Sequence, residues 1–136
     1  MEELTRLFGI DIGIDLDCFK SIIDGHGHDA GDDVLRIFSK LLFMHFRTSD
    51  VVARLGGDEF AVLCSGTTGE QLTGSLDRLR KDFTASALSR AYPKLAWSAG
   101  IATFHPESEE TIDDLLRASD ARMYSAKAEG KRQRQH

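Results

Sequence analysis

Residues 51–63 hold two apolar runs, Val51 to Leu55 and Phe60 to Leu63, separated only by Gly56-Gly57-Asp58-Glu59. A break this short allows one arrangement, an antiparallel hairpin, because parallel neighbours need a crossover of about a dozen residues or more. Whatever the fold, it is built around this ribbon. Its tip is also chemically distinctive. Glycine adopts positive φ and leaves no side chain, so a ligand can approach the backbone closely. The adjacent Asp58 and Glu59 offer hard oxygen donors, suited to Mg²⁺ or Mn²⁺ rather than to zinc or copper. Phosphate held through a divalent ion is the chemistry this tip favours. An ordinary acidic turn has the same local sequence, so the remainder of the chain has to decide.

Ahead of the hairpin, Phe8, Ile10, Ile12, Ile14 and Leu16 alternate with Gly9, Asp11, Gly13 and Asp15, the period-two pattern of a strand. Asp15 and Asp17 then share a face at its C-terminal end, where sheets commonly present ligand-binding groups. The Gly9-Asp11-Gly13 face is not that of a strand covered on both sides. Cys18 to Ile23 suits a short helix that the glycine-rich 25–31 segment breaks, and Asp32 opens a long helix to about Phe46. After the hairpin, Glu70 to Ala87 carries Leu72, Leu76, Leu79 and Phe83 at helical spacing, and a further strand runs from about Leu95 to Phe104. Beyond Pro106, Thr111 and Asp114 mark the start of a helix holding Ile112, Leu115, Leu116, Met123 and Tyr124, stopped by Gly130 before a basic tail. The order β-α-α-β-β-α-β-α implies an α+β fold, helices flanking a mixed, mostly antiparallel sheet.

Composition removes several classes of function. With 136 residues the chain is expected to be a single domain, residues 1–136, with its own core. A formal charge of −5 argues against a nucleic-acid backbone or an anionic membrane surface as the main partner, since both demand a basic face. Cys18 and Cys64 lack Cys-x-x-Cys spacing, so neither a disulfide framework nor a zinc knuckle is expected. His26 and His28 have no second pair at zinc-ligand spacing. The longest strongly apolar stretch, Leu41 to Met44, is far too short to span a bilayer, and the first thirty residues have no apolar signal core. A cytoplasmic protein without membrane contact is the expectation.

Five segments taken together resemble the GGDEF family of diguanylate cyclases: residues 15–20, residues 27–32, the hairpin from Arg54 to Phe60, Ser98-Ala99-Gly100-Ile101-Ala102, and residues 124–131. The likeness covers roughly residues 8 to 131, in order and at natural spacing. It implies a ferredoxin-like, palm-type nucleotide cyclase domain that binds one GTP with two Mg²⁺ or Mn²⁺ ions. Two such domains, meeting as a homodimer, would join two GTP into cyclic di-GMP and release pyrophosphate. Carried onto this sequence, the resemblance makes Asp15, the Leu16 carbonyl and Asp58 metal ligands, with Glu59 as a further ligand or proton acceptor. Gly56 and Gly57 form the turn beside the nucleotide. Backbone amides at Phe19 and Lys20, opening a short helix, would meet phosphate oxygens. Lys127 and Lys131 would close the far end of the triphosphate, and at Lys131 the family's usual arginine fork becomes a point charge. Asp32 would accept hydrogen bonds from the guanine edge, or serve as a plain helix N-cap, or both.

Two departures bear on activity. The family's Phe-Lys-x-Ile-Asn-Asp reads Phe19-Lys20-Ser21-Ile22-Ile23-Asp24, so Ile23 stands where an asparagine normally helps to read guanine. The lead-in at residues 1–7 only echoes the family's longer segment, which suggests a shortened start, and residues 132–136 form a basic tail. Arg47-Thr48-Ser49-Asp50 ahead of the hairpin resembles the family's product-inhibition motif, and Arg78 on the next helix matches a second product-contacting arginine. Guanidinium forks suit guanine and phosphate, and an aspartate can accept from the guanine amino group. The sequence therefore supports two functions: a diguanylate cyclase, or a catalytically weak domain acting as a receptor for cyclic di-GMP or GTP. A cyclase acting on ATP is third, and Asp32 with the hairpin counts against it. Any regulatory or sensor domain would lie outside this chain.

Overall fold

The computed structural model describes residues 9–104. Strand β1 (Ile10–Asp17) leads into helices α1 (Phe19–His26) and α2 (His28–His45), then into strands β2 (Val51–Gly56) and β3 (Glu59–Cys64). Helices α3 (Gly69–Ala85) and α4 (Ala87–Ala91) follow, and β4 (Ala96–Thr103) closes the described region. The sheet order is β2-β3-β1-β4, and all three described pairings are antiparallel. A helical connection joins β1 to β2 and another joins β3 to β4, so this is the ferredoxin-like split βαβ arrangement. Among the described residues no helix is long and apolar enough to cross a membrane.

The alternation in β1 does what its period requires. Ile10, Ile12, Ile14 and Leu16 pack with Val34, Phe38 and Leu42 of α2, Leu72, Leu79 and Phe83 of α3, and Phe60 and Val62 of β3. Phe38 lies at the centre, its ring meeting Phe60, Phe83 and Trp97 at centroid distances of 5.4, 6.1 and 6.4 Å. The other face of β1 differs from expectation. Asp11 is only 4% exposed, and Ala61, Leu63, Ser98 and Ala102 on neighbouring strands are buried with it. Small residues let that face be covered without the long apolar run usual in a doubly covered strand.

Several helix boundaries move, among them the end of α1, which runs on from the expected Ile23 to His26. Helix α2 begins at His28 rather than at Asp32, because Gly27 alone makes the break. It lies at φ +92, donates its N–H to the Ile23 carbonyl at 2.8 Å to end α1, and is the N-cap of α2. Asp32 is therefore inside the helix and is not its cap. Gly31, read as a breaker, is instead a packing position, since a Cβ there would lie 2.8 Å from Ile23 Cγ1. Helix α3 starts at Gly69 behind a capping box: Thr68 Oγ1 accepts from the Gln71 N–H at 3.2 Å, and Gln71 Oε1 accepts from the Thr68 N–H at 3.3 Å. It ends at Ala85, and Ser86 starts the short α4, which periodicity did not separate from it. The helix expected after Pro106 lies outside the described residues.

Candidate active site

The hairpin tip is tied to the end of β1. Asp15 is the register partner of Glu59, and the Leu16 N–H donates to the Asp58 carbonyl at 3.0 Å. Gly56 pairs with Glu59 across the turn, Gly57 sits at φ +49 in the left-handed region, and Arg54 Nε braces the tip by donating to the Gly57 carbonyl at 3.0 Å. A side chain at position 57 would be strained there. Asp15 and Asp58 are half-buried while Glu59 is exposed. Asp15, Leu16, Gly56, Gly57, Asp58 and Glu59 are thus brought to one end of the sheet. The donors are hard carboxylate oxygens, a set that fits Mg²⁺ or Mn²⁺. Among the described residues no three His, Cys, Asp or Glu side chains converge as a ready-made metal cage. Asp17, on the same face of β1, accepts from Ser98 Oγ at 2.8 Å. Ser98 was missed as a partner; the β1–β4 register, which pairs it with Asp15, is the signal that reveals it.

Helix α1 opens beside this end of the sheet. Cys18, its N-cap, lies at φ +66 and makes no side-chain cap, so the first amides of the helix are not closed by a capping oxygen. Phe19 is buried, leaving only its backbone for a ligand, and Lys20 is exposed. Ile23 is half-buried and packs across to Gly31 of α2, while Asp32 is exposed one residue further on. Lys127 and Lys131 lie outside the described residues.

The second set of predicted residues gathers at the opposite end of the hairpin. Arg47, Asp50 and Arg78 line one depression of about 200 Å³, together with His45, Thr67, Gln71 and Ser75. Arg47 grips Asp50 three ways: its backbone N–H donates to Oδ2 at 2.8 Å, Nε to Oδ2 at 3.4 Å and Nη2 to Oδ1 at 2.9 Å. Its Nη2 also donates to the Ser65 carbonyl. The hydrogen bonds to Asp50 and then the charge of that acid raise the Arg47 pKa. Arg78 Nη2 donates to Ser75 Oγ at 3.1 Å, and His45 Nε2 meets Asp82 Oδ2 at 2.7 Å. A larger cavity, about 360 Å³, lies between α1 and the 91–95 segment, lined by Cys18, Ser21, His26, Tyr92 and Lys94. It holds none of the residues singled out in the sequence for binding; there the His26 ring meets the Tyr92 edge at 5.2 Å.

A model of the family described as "Diguanylate cyclase, GGDEF domain" matches residues 8–133. The chain belongs to the GGDEF family. Among known GGDEF proteins, the probable diguanylate cyclase DgcC of Escherichia coli K12 is 36% identical over 119 residues, 87% of this chain and 32% of that protein. The chain therefore spans about a third of the length of this curated relative. The active GGEEF domain of a diguanylate cyclase from Vibrio cholerae superposes with a TM-score of 0.79 at 31% identity, covering 94% of this chain and 83% of that one. A microbial GGDEF domain described for its interaction mode with cyclic di-GMP gives a TM-score of 0.74 at 28% identity, covering 94% and 79%. The GGDEF assignment agrees with the split βαβ topology and with the two glycines and two acids at the β2–β3 turn.

Proposed function

We propose that this domain condenses two GTP into cyclic di-GMP with release of pyrophosphate, each GTP held by one copy in a homodimer. The reading rests on one observation above all: Asp15 stands opposite Glu59, with the Leu16 amide bonded to the Asp58 carbonyl. Asp15, the Leu16 carbonyl, Asp58 and Glu59 would hold two Mg²⁺ or Mn²⁺ ions, which supply neutralisation of triphosphate charge and stabilise the leaving pyrophosphate. The uncapped amides at Phe19 and Lys20 orient phosphate oxygens, Gly56 and Gly57 let the nucleotide approach the turn, and Asp32 accepts from guanine. Lys127 and Lys131 complete the phosphate grip. The 3′-hydroxyl oxygen of one GTP attacks the α-phosphorus of the other, the bond to the bridging oxygen breaks, and Glu59 or Asp58 takes the hydroxyl proton.

Arg47, Asp50 and Arg78 form a product-inhibition site, and a regulatory or sensor domain outside this chain supplies the input. Incubating the protein with GTP and Mg²⁺ or Mn²⁺, then separating nucleotides by chromatography, tests the reading. Cyclic di-GMP that depends on the metal and on Asp58 is the expected product. A receptor for cyclic di-GMP is the second reading, favoured by Ile23, whose side chain is spent on helix packing. It requires binding at Arg47 and Arg78 with no turnover.

A further inference from the structure

The root of the hairpin is a dry corner. Val51 pairs with Leu63, so the next position outward on each strand sets Asp50 against Cys64. Cys64 is fully buried, and the Asp50 side chain is 2% exposed. A carboxylate so withdrawn from water has to be satisfied by the protein. Arg47 does this with three donors, while the carbonyl of Ser65, the residue after Cys64, takes a further bond from the same guanidinium. Arg47 is nevertheless half exposed. Its inner side is held by the acid and the carbonyl, its outer side faces the depression shared with Arg78, and among the described residues Nη1 has no bonded acceptor. The thiol at the base of the corner stays neutral: burial, and then the Asp50 charge, push it up to about 12. A neutral thiol there leaves Arg47 as the charged partner of Asp50 among the described residues.

We infer that Cys64 is a positioning residue for Arg47: it fills the floor against which Asp50 is held, and Asp50 fixes the guanidinium that meets the ligand. The inference rests on the product-site reading above and deepens it. Asp50 then acts at least in part through Arg47, whose guanidinium it holds with both of its oxygens. A cysteine that merely fills space would change stability alone. One that positions Arg47 changes affinity, and does so only while Asp50 is present.

Titration calorimetry with cyclic di-GMP on the domain, with circular dichroism to establish folding, separates these outcomes. The unsubstituted chain is expected to bind. Cys64→Ala should weaken binding by about three- to ten-fold, whereas Cys64→Ser, close in size and able to donate to Asp50, should stay within about two-fold. In an Asp50→Ala background, Cys64→Ala should have almost no further effect. Affinity unchanged in Cys64→Ala, or an equal loss with and without Asp50, overturns the inference. If Cys64→Ala does not fold, Cys64→Thr, which adds a methyl group to the floor and displaces Asp50, is expected to weaken binding similarly, and unchanged affinity there overturns it as well. Failure of the site reading looks different: no binding by the unsubstituted chain, or full affinity in both Arg47→Ala and Arg78→Ala, removes the site and the inference with it.

Discussion

At the tip of the β2–β3 hairpin Glu59 is exposed and Asp58 half-buried, whereas at its root, on the same two strands, Asp50 is withdrawn from water and clasped by Arg47. Both ends carry acids next to an arginine. At the tip, Arg54 bonds a backbone carbonyl and stiffens the turn. At the root the arginine neutralises the acid directly. The contrast separates a site whose acids reach the surface, where a cation can approach, from one whose acid is paired with Arg47 and whose geometry is fixed in advance. Preorganisation lowers the cost of ordering on binding, while accessible carboxylate oxygens are the hard donors that Mg²⁺ or Mn²⁺ prefers.

The sharpest way to break this comparison is at the tip. Asp58→Ala, and equally Asp15→Ala, is expected to abolish metal-dependent GTP binding and product formation while the thermal unfolding midpoint stays nearly unchanged. Nucleotide affinity retained in Asp58→Ala would mean that the hairpin is not the site. At the root the ordering reverses. Arg47→Ala should lower affinity for cyclic di-GMP by about ten-fold or more, since a charge-assisted contact is lost together with the partner of Asp50, and Arg47→Lys, which cannot fork, should restore little of it. Equal calorimetric affinity for all three proteins would make the Arg-x-x-Asp pattern incidental.

A smaller effect is expected between the two sites. Ile23→Asn should tighten GTP binding by about 1–2 kcal/mol and raise cyclic di-GMP output, measured with product removed continuously. Because Ile23 packs on Gly31, the same change should lower unfolding stability by about 1–2 kcal/mol in urea titration. Stability lost with no gain in GTP affinity would favour the receptor reading. The smallest effect concerns alkali. The Cys64 thiol is raised in the folded state, so the folded chain holds that proton longer than the unfolded one. Its contribution is complete below the ordinary thiol range and is lost as pH rises toward about 12. The unfolding midpoint should therefore fall between roughly pH 9 and 11, and Cys64→Ser should flatten that slope.

How far the sequence could be read depended on how local the cause was. The hairpin and the β1 alternation follow from period and turn chemistry, and they were legible; that Asp15 faces Glu59 depends on β1 lying beside β3, and only the family resemblance pointed to it. The start of α2 was not, because Gly25, Gly27 and Gly31 look alike in a sequence and only Gly27 has a backbone conformation that breaks a helix. Gly31 is required by a neighbour eight positions earlier, which no local pattern records. Burial of Asp11 and the bond between Ser98 and Asp17 depend on which strands lie side by side. The withdrawal of Asp50 was hidden for the same reason: Arg-x-x-Asp names the pair, but only the register with Cys64 makes it dry. Thr68-x-x-Gln71, in contrast, was a readable start signal for α3.

Gly27 carries a consequence of handedness. With φ +92 and ψ 172 it occupies a region closed to L side chains, yet a Cβ placed there meets nothing within 4 Å. The obstacle to substitution is torsional and not spatial. Reflected through a mirror, the same torsions are ordinary extended chain. A semisynthetic domain with D-alanine at position 27 should keep the joint between α1 and α2 and lose backbone freedom only in its unfolded state, becoming more stable than the parent. L-alanine at the same position would force one helix to swing, and the Ile23–Gly31 contact would open with it.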